Sequence, residues 1–485
     1  MLFLQPDHAG VGSIPYFWVK QNPVMTLDTP ADLLDRLTAE IQDFYENPTP
    51  VNPHVTAEQI RQHLHSFDFA QPMDADRLFS DVRQMMRTWN VQITHPRYFG
   101  LYNPAPVMTA VVAESLAALY NPQMAAWSHA PAANEIERHT LHYIARKLDL
   151  PTAGLAANFT SGGSEANHTA VLVALAHHFP QTLDAGLWAL TQRPLVYVSE
   201  LAHNSFDKIA KHTGLGWQSL RVVPVDDTLR MDVQALKTLL EEDRLAGHQP
   251  FLVVGTAGVT STGTIDPLPE LAELCQRQGL WFHVDAAWAG AVVMSERLKS
   301  TLAGIERADS VTVDAHKWFN LTMGAGMFFC RHADAVTQAF SVRADYMPAS
   351  QADVAVPYLT TLQWSRRFIG LKLFMALAEL GETGYADMIE RQAALGDYFR
   401  KKLTERGWQI VNKTPLPVVN FTHPILEKKG LSADGVVAKL YERSDTWIST
   451  VTLRGRKVFR MCVTNFKSTE ADVDELLRQL TEAIA

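Results

Sequence analysis

The sequence predicts an α/β fold built on a mostly parallel sheet. Beyond about residue 150, short runs of β-branched and aromatic residues alternate with longer segments whose apolar residues recur at helical spacing. These runs are apolar throughout, as expected of strands that helices cover on both faces. The runs are 195–200, 251–258, 281–288, 310–317 and 325–331. Since 47% of the 485 residues are apolar, the chain can bury the core that such a fold needs.

Residues 1–100 are expected to form a helical arm. Thr29 can cap a helix that begins at Pro30, and a second helix start is indicated at Thr56, which has Gln59 at capping-box spacing. One face of the first helix is apolar, at Leu33, Leu34, Leu37, Ile41 and Phe44. An exposed apolar stripe needs a surface to lie on, either the body of the same chain or a partner subunit.

The rest of the chain is expected to divide near residue 365. Residues 101–365 contain the predicted parallel sheet, whereas 366–485 begin with a long helical stretch and continue with short strands. A hairpin is expected over 447–463, and a last helix opens at Thr469 with Asp472 at capping-box spacing. We therefore predict a large α/β domain followed by a small α+β domain.

Charge and cysteine content exclude several classes of protein. The formal net charge of −9 disfavours nucleic acid or an anionic membrane as a partner. Cys275, Cys330 and Cys462 lack paired spacing, so neither a disulfide framework nor a metal site is indicated. The N-terminus does not resemble a secretory signal, and no stretch is typical of a membrane span. The expected location is the cytoplasm.

The segment TSGGSEAN at 160–167 immediately precedes a helical run. Its small residues are expected at a helix N-terminus, where free backbone N–H groups and the hydroxyls of Ser161 and Ser164 suit a phosphate. The alternative is a plain Gly-rich turn with a capping serine. The segment lacks the GxxxxGK[ST] pattern of a nucleotide P-loop.

Two charged residues follow predicted buried strands. Asp285 ends the strand in HVDAAWAG, and Lys317 follows the strand in DSVTVDAHKW. A buried carboxylate is costly without compensation, so Asp285 is expected to have a cationic partner. The alternatives are a purely structural ion pair between Asp285 and Lys317, or a lysine at the surface.

A phosphate cradle, a carboxylate and a sheltered lysine at successive strand ends are what pyridoxal phosphate requires. The lysine forms a Schiff base with the aldehyde, and the carboxylate keeps the pyridine nitrogen protonated so that the ring accepts electrons. His203, after the strand that ends at Ser199, supplies an imidazole that could stack on the ring; taken alone, it is more typical of a loop histidine. The three signals together predict a pyridoxal phosphate site.

At these residues the chain resembles the pyridoxal-phosphate-dependent group II amino acid decarboxylases, a family that acts on aromatic amino acids, glutamate, cysteine sulfinate and diaminobutyrate. The matching segments include HPRYFG, SGGSEAN, AHNS, HVDAAWAG, DAHKW and SRRFIGLKLF. The resemblance implies a fold-type I, aspartate aminotransferase-like enzyme. It also implies a homodimer whose active sites lie at the subunit interface, with an intertwined N-terminal arm and Ser365 near the neighbouring phosphate.

The resemblance also implies roles for individual residues. Lys317 matches the Schiff-base lysine, Asp285 the partner of the ring nitrogen, and His203 the stacked imidazole. Ala287 would contact the other face of the ring, and Thr260 its phenolic side. Four positions match the phosphate side, namely Gly163, Ser164, Asp314 and His316. Asp314 stands where aromatic decarboxylases often have Asn, and an acidic residue near a phosphate is unfavourable.

The implied reaction is decarboxylation of an L-amino acid to the amine and CO2. Tyr346, within 341–357, matches the family's proton donor on a mobile loop. Relatives that make aldehydes are said to change this Tyr or the stacking His, and here both Tyr346 and His203 are retained. Another fold-type I enzyme, an aminotransferase or a lyase, would use the same Asp285 and Lys317.

The substrate is expected to be aromatic or largely apolar. Its candidate contacts are Leu101, Tyr102 and Asn103; Leu101 stands where glutamate decarboxylases place an amide, which disfavours acidic substrates. The segment 121–131 is Ala-rich where diaminobutyrate enzymes tend to have carboxylates. A diamino acid such as 2,4-diaminobutyrate is the second choice.

Overall fold

The computed structural model describes residues 30–342, 354, 356–442 and 446–485. Contacts divide the chain into two units. One comprises residues up to Thr49 together with Val55–Trp89, and the other comprises Pro50–His54 and Asn90–Ala485. None of the described helices is both long enough and apolar enough to cross a lipid bilayer.

The first unit is helical, as predicted. Its helices are α1 (Pro30–Glu46), α2 (Ala57–Leu64) and α3 (Ala75–Thr88). The capping box of Thr56 and Gln59 is present, whereas Thr29 lies outside the described residues. Arg87 on α3 donates to Glu40 on α1 across 2.7 Å. The apolar face of α1 remains partly uncovered within the described chain, with Leu34 61% exposed.

The second unit begins with the helices and strands of a large sheet. In chain order these are α4 (Met108–Tyr120), α5 (Pro131–Lys147), β1 (Ala156–Thr160), α6 (Gly163–His178), α7 (Thr182–Ala185), β2 (Pro194–Ser199), α8 (Ser205–His212), β3 (Leu220–Val223), α9 (Val233–Leu245), β4 (Gln249–Thr256), α10 (Leu268–Gln278), β5 (Trp281–Asp285), α11 (Glu296–Lys299), β6 (Ser310–Asp314), β7 (Gly326–Cys330) and α12 (Ala333–Phe340).

The large sheet has seven strands in the order β1-β7-β6-β5-β4-β2-β3. The pairs from β3 through β2, β4 and β5 to β6 are parallel, and β7 runs antiparallel to both β6 and β1. The prediction of a mostly parallel sheet is therefore confirmed. Sequence analysis missed β1 and β3, because AANFT has few β-branched residues and LRVV is only four residues long.

The central strands are buried on both faces, as their apolar sequences predict. Along β4, Val253 packs in the core on one side of the sheet, while Leu252 and Val254 pack in the core on the other side. This alternation is the period of two that places neighbouring side chains on opposite faces.

Because β4, β5 and β6 are parallel neighbours, their carboxyl ends meet along one edge of the sheet, where ligands of such sheets bind.

The small domain contains a second sheet. Its elements are α13 (Gly370–Glu405), β8 (Gln409–Ile410), β9 (Val418–Thr422), α14 (Ile425–Lys429), α15 (Ala433–Glu442), β10 (Ser449–Leu453), β11 (Arg456–Cys462) and α16 (Glu470–Ile484). The strand order is β10-β11-β9-β8, and all pairs are antiparallel. The predicted hairpin is confirmed; Arg454 and Gly455 both have positive φ, which fits a two-residue turn. The capping box of Thr469 and Asp472 is also present.

Candidate active site

A cavity of about 330 Å³ lies at the carboxyl ends of β4, β5 and β6 and at the start of α6. It brings together residues that are far apart in the sequence. Ten of its lining residues were assigned to cofactor or substrate from the sequence: Tyr102, Gly163, Ser164, His203, Thr260, Asp285, Ala287, Asp314, His316 and Lys317. The cavity is therefore the candidate active site.

The start of α6 forms one wall of the cavity. The first N–H groups of a helix have no carbonyl acceptor within it, so those of Gly163 and Ser164 can bind an anion. A Cβ atom on Gly163 would lie 2.8 Å from Asp314 Oδ2 and 3.2 Å from Ala287 Cβ, so only glycine fits there without a shift. The hydroxyl of Ser161, expected to face a phosphate, instead donates to Glu165 Oε2 across 2.7 Å.

Asp285 ends β5 and is 4% exposed. Its Oδ2 accepts from Asn167 Nδ2 at 2.8 Å, and its Oδ1 accepts from the Ala287 N–H at 3.1 Å. The alternative of an ion pair between Asp285 and Lys317 is not observed: within the described ranges no Lys, Arg or His nitrogen forms an ion pair with Asp285, and Lys317 pairs with Asp314 instead. The cation expected for Asp285 is then the ring nitrogen of the cofactor. The hydrogen-bond donors to Asp285 are thus neutral N–H groups.

Asp314 ends β6 and forms the ion pair with Lys317. Lys317 Nζ lies 3.0 Å from Asp314 Oδ2, and the Lys317 side chain keeps 22% of its surface exposed, whereas that of Asp314 keeps 2%. The adjacent His316 accepts the Ala325 N–H at its Nδ1 across 3.0 Å. Burial lowers the pKa of His316. Lys317 is thus the more exposed partner of a buried carboxylate.

Three stacked aromatic rings support another wall. The rings of Tyr102 and Trp288 are 4.3 Å apart, and those of Trp288 and Trp318 are 4.6 Å apart, both nearly parallel. Tyr102 donates its hydroxyl to the Val259 carbonyl across 3.0 Å. The two tryptophans follow Asp285 and Lys317 in their motifs, so the stack explains why bulky apolar residues stand there.

Several predicted residues are not brought into the cavity. Leu101 is 49% exposed, and the amide of Asn103 contacts Met323 Sδ at 3.2 Å; neither residue lines the cavity. Tyr346 lies outside the described residues. His203 does line the cavity, and its Nδ1 accepts the Ser205 N–H at 3.2 Å.

Two residues at or next to the cavity had no role predicted from the sequence. Asn167 lines the cavity and bonds to Asp285. Arg460, on β11, places its guanidinium 5.0 Å from the centre of the Tyr102 ring and donates to the Thr260 carbonyl across 2.8 Å. An arginine set among the apolar residues VFRMCV at 458–463 was the available signal for the latter.

The residues present fit pyridoxal phosphate. The helix N-terminus suits the phosphate, the ionised Asp285 suits a protonated ring nitrogen, and Lys317 supplies a primary amine. In the part of the chain that the structure describes, Thr256 Oγ1 and Asp314 Oδ1 are buried at the cavity without a hydrogen-bond partner. The cavity therefore retains hydrogen-bonding capacity for a polar ligand.

Comparison with known proteins identifies a shared domain. Residues 58–423 match the model of the pyridoxal-dependent decarboxylase conserved domain, which is well over half of the chain. The matched range contains Lys317 and Asp285 and ends within the small domain.

Individual relatives agree with the family model. An aromatic-L-amino-acid decarboxylase of Bacillus atrophaeus is 26% identical over 472 residues, covering 88% of this chain and 96% of the relative. An L-2,4-diaminobutyrate decarboxylase of Acinetobacter baumannii is 32% identical over 323 residues, covering 63% of this chain and 62% of the relative. The crystal structure of mouse CSAD superimposes with a TM-score of 0.86 at 26% identity, covering 94% of this chain and 99% of that one.

Proposed function

Since the chain belongs to the pyridoxal-phosphate-dependent group II amino acid decarboxylases, we propose that its substrate is an aromatic or largely apolar L-amino acid. The observation that carries this proposal is the makeup of the cavity wall. Tyr102 and Trp288 line the cavity as two stacked aromatic rings, and an aromatic wall suits contact with an apolar side chain. The relative from Bacillus atrophaeus, named as an aromatic-L-amino-acid decarboxylase, supports the same choice.

The charges in the cavity also support this substrate class. Among the described lining residues, Glu165 already accepts from Ser161 and Gln363, and Asp285 and Asp314 are assigned to the cofactor and to Lys317. None of these carboxylates is left for a distal ammonium group. Lys317, assigned to the cofactor, is the one Lys or Arg among those lining residues. Arg460 does not line the cavity and donates to the carbonyls of Thr260 and Gly100, so a distal carboxylate is disfavoured as well.

The roles of the chain's own groups follow from their positions. Pyridoxal phosphate, when bound, supplies the electron sink that accepts the electron pair left by loss of CO2. Asp285 would hold the proton on the ring nitrogen, and Lys317 would supply the amine that attaches the cofactor. His203 and Ala287 would contact the two faces of the ring. Tyr346, outside the described residues, is assigned the return of a proton to the substrate Cα.

A diamino acid is the second candidate substrate. The diaminobutyrate decarboxylase from Acinetobacter baumannii has a higher identity, 32%, over a shorter stretch than the aromatic relative. A distal ammonium would need a carboxylate in the cavity. Glu165 is the one candidate outside the cofactor set among the described lining residues, and Ser161 and Gln363 would have to release it.

A CO2-release screen tests the substrate. Common L-amino acids and 2,4-diaminobutyrate are supplied with added pyridoxal phosphate, and Lys317→Ala serves as the inactive control. We expect the highest kcat/KM for aromatic or large apolar substrates. A preference for 2,4-diaminobutyrate, histidine or glutamate would overturn the proposal.

We further propose a cytoplasmic homodimer with its active sites at the subunit interface. The proposed organisation is an arm over 1–100, a cofactor domain over 101–365 and a small domain over 366–485. The uncovered leucines of α1 and the three free, buried cysteines support it. Light scattering should give a particle mass of twice that of one chain. Leu34→Glu should lower this measured mass, because it places a charge on the exposed apolar face of α1. A monomeric wild-type protein with full activity would contradict the proposal.

A further inference from the structure

A chain of hydrogen bonds runs from Asp285 into the core of the large sheet. Asn167 Nδ2 donates to Asp285 Oδ2 across 2.8 Å, and Asn167 Oδ1 lies 3.0 Å from His283 Nε2. His283 Nδ1 lies 2.9 Å from Ser310 Oγ, which also accepts from Trp281 Nε1 at 2.9 Å. The chain therefore links α6, β5 and β6 behind the cavity.

The direction of every hydrogen bond in this chain is fixed by its two ends. The indole N–H of Trp281 can only donate, and the ionised carboxylate of Asp285 can only accept. Burial lowers the pKa of His283 to about 4, so its ring is neutral and carries one N–H. Since Asn167 Oδ1 accepts, that N–H is on Nε2, and Nδ1 accepts from the Ser310 hydroxyl. All the hydrogens point toward Asp285.

Burial strengthens the electrostatic effect of these hydrogen-bonded groups on Asp285. Asn167 is 1% exposed, His283 0%, Ser310 1% and Trp281 2%. Water is excluded along the chain, and in such a medium aligned hydrogen bonds polarise one another and act on a charge with little screening. The chain thus supplies, from neutral groups, the compensation that a buried carboxylate needs.

Asn167 also connects Asp285 to the other end of the cofactor site. It lies one helical turn after Gly163, which lines the cavity at the start of α6, so one helix carries residues of both the expected phosphate site and the Asp285 site. Its Nδ2 also lies 3.3 Å from Ser205 Oγ, and the Ser205 N–H donates to His203 Nδ1. One amide therefore braces the carboxylate and the loop that holds the imidazole.

We infer that Asn167 is a positioning residue for Asp285, and that with His283 and Ser310 it holds this carboxylate in place and aimed at the ring nitrogen of pyridoxal phosphate. The inference rests on the proposed role of Asp285. It predicts that a substitution that breaks this series of hydrogen bonds weakens the interaction of Asp285 with the ring nitrogen. The contacts of the protein with the phosphate and of Lys317 with the cofactor should remain.

Two cofactors separate this selective effect from a general loss of fold. Dissociation constants are measured by equilibrium dialysis for pyridoxal phosphate and for 1-deazapyridoxal phosphate, in which a C–H replaces the ring nitrogen. Asn167→Leu should raise the dissociation constant of pyridoxal phosphate by about tenfold or more, as expected for a lost hydrogen bond to a charged group. The dissociation constant of the analogue should change by less than about threefold, because the analogue has no ring nitrogen for Asp285 to contact.

Ser310→Ala removes the hydrogen bond between Ser310 and His283 and leaves Asn167 in place, so it tests the inference if Asn167→Leu does not fold. It should shift the ratio of the two dissociation constants in the same direction as Asn167→Leu, by a smaller factor. Ser219→Ala is the matched control: Ser219 is also 1% exposed, and its hydroxyl bonds to the Leu215 carbonyl, away from the chain. Equal losses for both cofactors in the Asn167 and Ser310 variants would overturn the inference.

Asp285→Asn keeps this test distinct from the proposed function. The wild-type protein is expected to bind pyridoxal phosphate more tightly than 1-deazapyridoxal phosphate. If Asp285→Asn removes this preference while Asn167→Leu and Ser310→Ala keep it, the inference fails and the role of Asp285 stands. If Asp285→Asn leaves the preference unchanged, the role of Asp285 fails first.

Discussion

Asp285 and Asp314 end neighbouring parallel strands at the same edge of the sheet, yet their charges are balanced in opposite ways. Asp285 accepts from the neutral donors Asn167 and Ala287. Asp314 faces the amine of Lys317 at 3.0 Å and leaves its other oxygen without a partner among the described residues. One carboxylate is held by neutral hydrogen-bond donors, and the other is paired with a charged and partly exposed side chain. Position on a sheet edge therefore does not by itself determine what an acidic residue does.

Lys317→Ala should have the largest effect on turnover, because it removes the amine that attaches the cofactor. We expect no measurable CO2 release and no cofactor adduct trapped by borohydride. The variant also leaves the Asp314 carboxylate buried without a cation, which is destabilising. Normal CO2 release from this variant would refute the assignment.

Asp285→Asn should have the next largest effect. The amide cannot hold the proton of the ring nitrogen, and loss of one preorganised electrostatic group lowers kcat by about 10²–10³. Cofactor content measured from the absorption spectrum is the control, since a drop in content alone would explain a lower rate. An unchanged kcat at full cofactor occupancy would show that Asp285 is only structural.

Gly163→Ala should weaken cofactor binding, because the added methyl group would contact Asp314 and Ala287 at the start of α6. Forcing a group into a packed site costs about 1–3 kcal/mol. The dissociation constant for pyridoxal phosphate measures this effect. Gly279→Ala is the control: Gly279, though at positive φ, has open space at its Cβ and lies at the end of α10. It should change thermal stability but not cofactor affinity.

Asp314→Asn should have the smallest effect of these substitutions on turnover. It retains the shape of the side chain and removes a negative charge next to the N-terminus of α6, where a phosphate is expected. We predict that affinity for pyridoxal phosphate rises relative to that for pyridoxal, which lacks the phosphate. A fall in this ratio would place the phosphate away from Asp314.

The hydrogen bonds that support Asp285 include a buried histidine, His283, which should make the free energy of unfolding depend on pH. The unfolded chain protonates His283 near its ordinary pKa of 6.5, whereas burial lowers the folded pKa to about 4. The free energy of unfolding should therefore fall as the pH drops from 6.5 toward 4, by up to about 1.4 kcal/mol per pH unit. His283→Asn should flatten this slope in urea titrations at several pH values. An equally steep slope would mean that His283 titrates normally.

The predicted strands and the family were confirmed because they depend on local patterns. Apolar runs such as 251–258 specify buried strands, and HVDAA followed by HKW specifies a family. Strand direction carries no such signal, so the antiparallel β7 could not be foreseen. The pairing of Lys317 with Asp314, and not with Asp285, could not be predicted because sequence spacing does not determine which strand-end groups meet.

The role of Asn167 was beyond sequence reasoning for the same reason. Its partners Asp285, His283 and Ser205 come from segments far apart in the chain, and an asparagine within a helix is compatible with many environments. Only the packing of α6 against the sheet makes it a junction. Sequence patterns therefore identify the reactive groups more readily than the groups that hold them.

The pairing of β1 with β7 also has a consequence for how the enzyme matures. Ala156 pairs with Cys330 and Thr160 with Gly326, so β1 reaches its place only after much of the large domain has been synthesised. Closing so long a loop is slow, since its entropy must be overcome before the contacts form. Because β1 leads directly into the start of α6, we expect cofactor capture to report one of the last steps of folding.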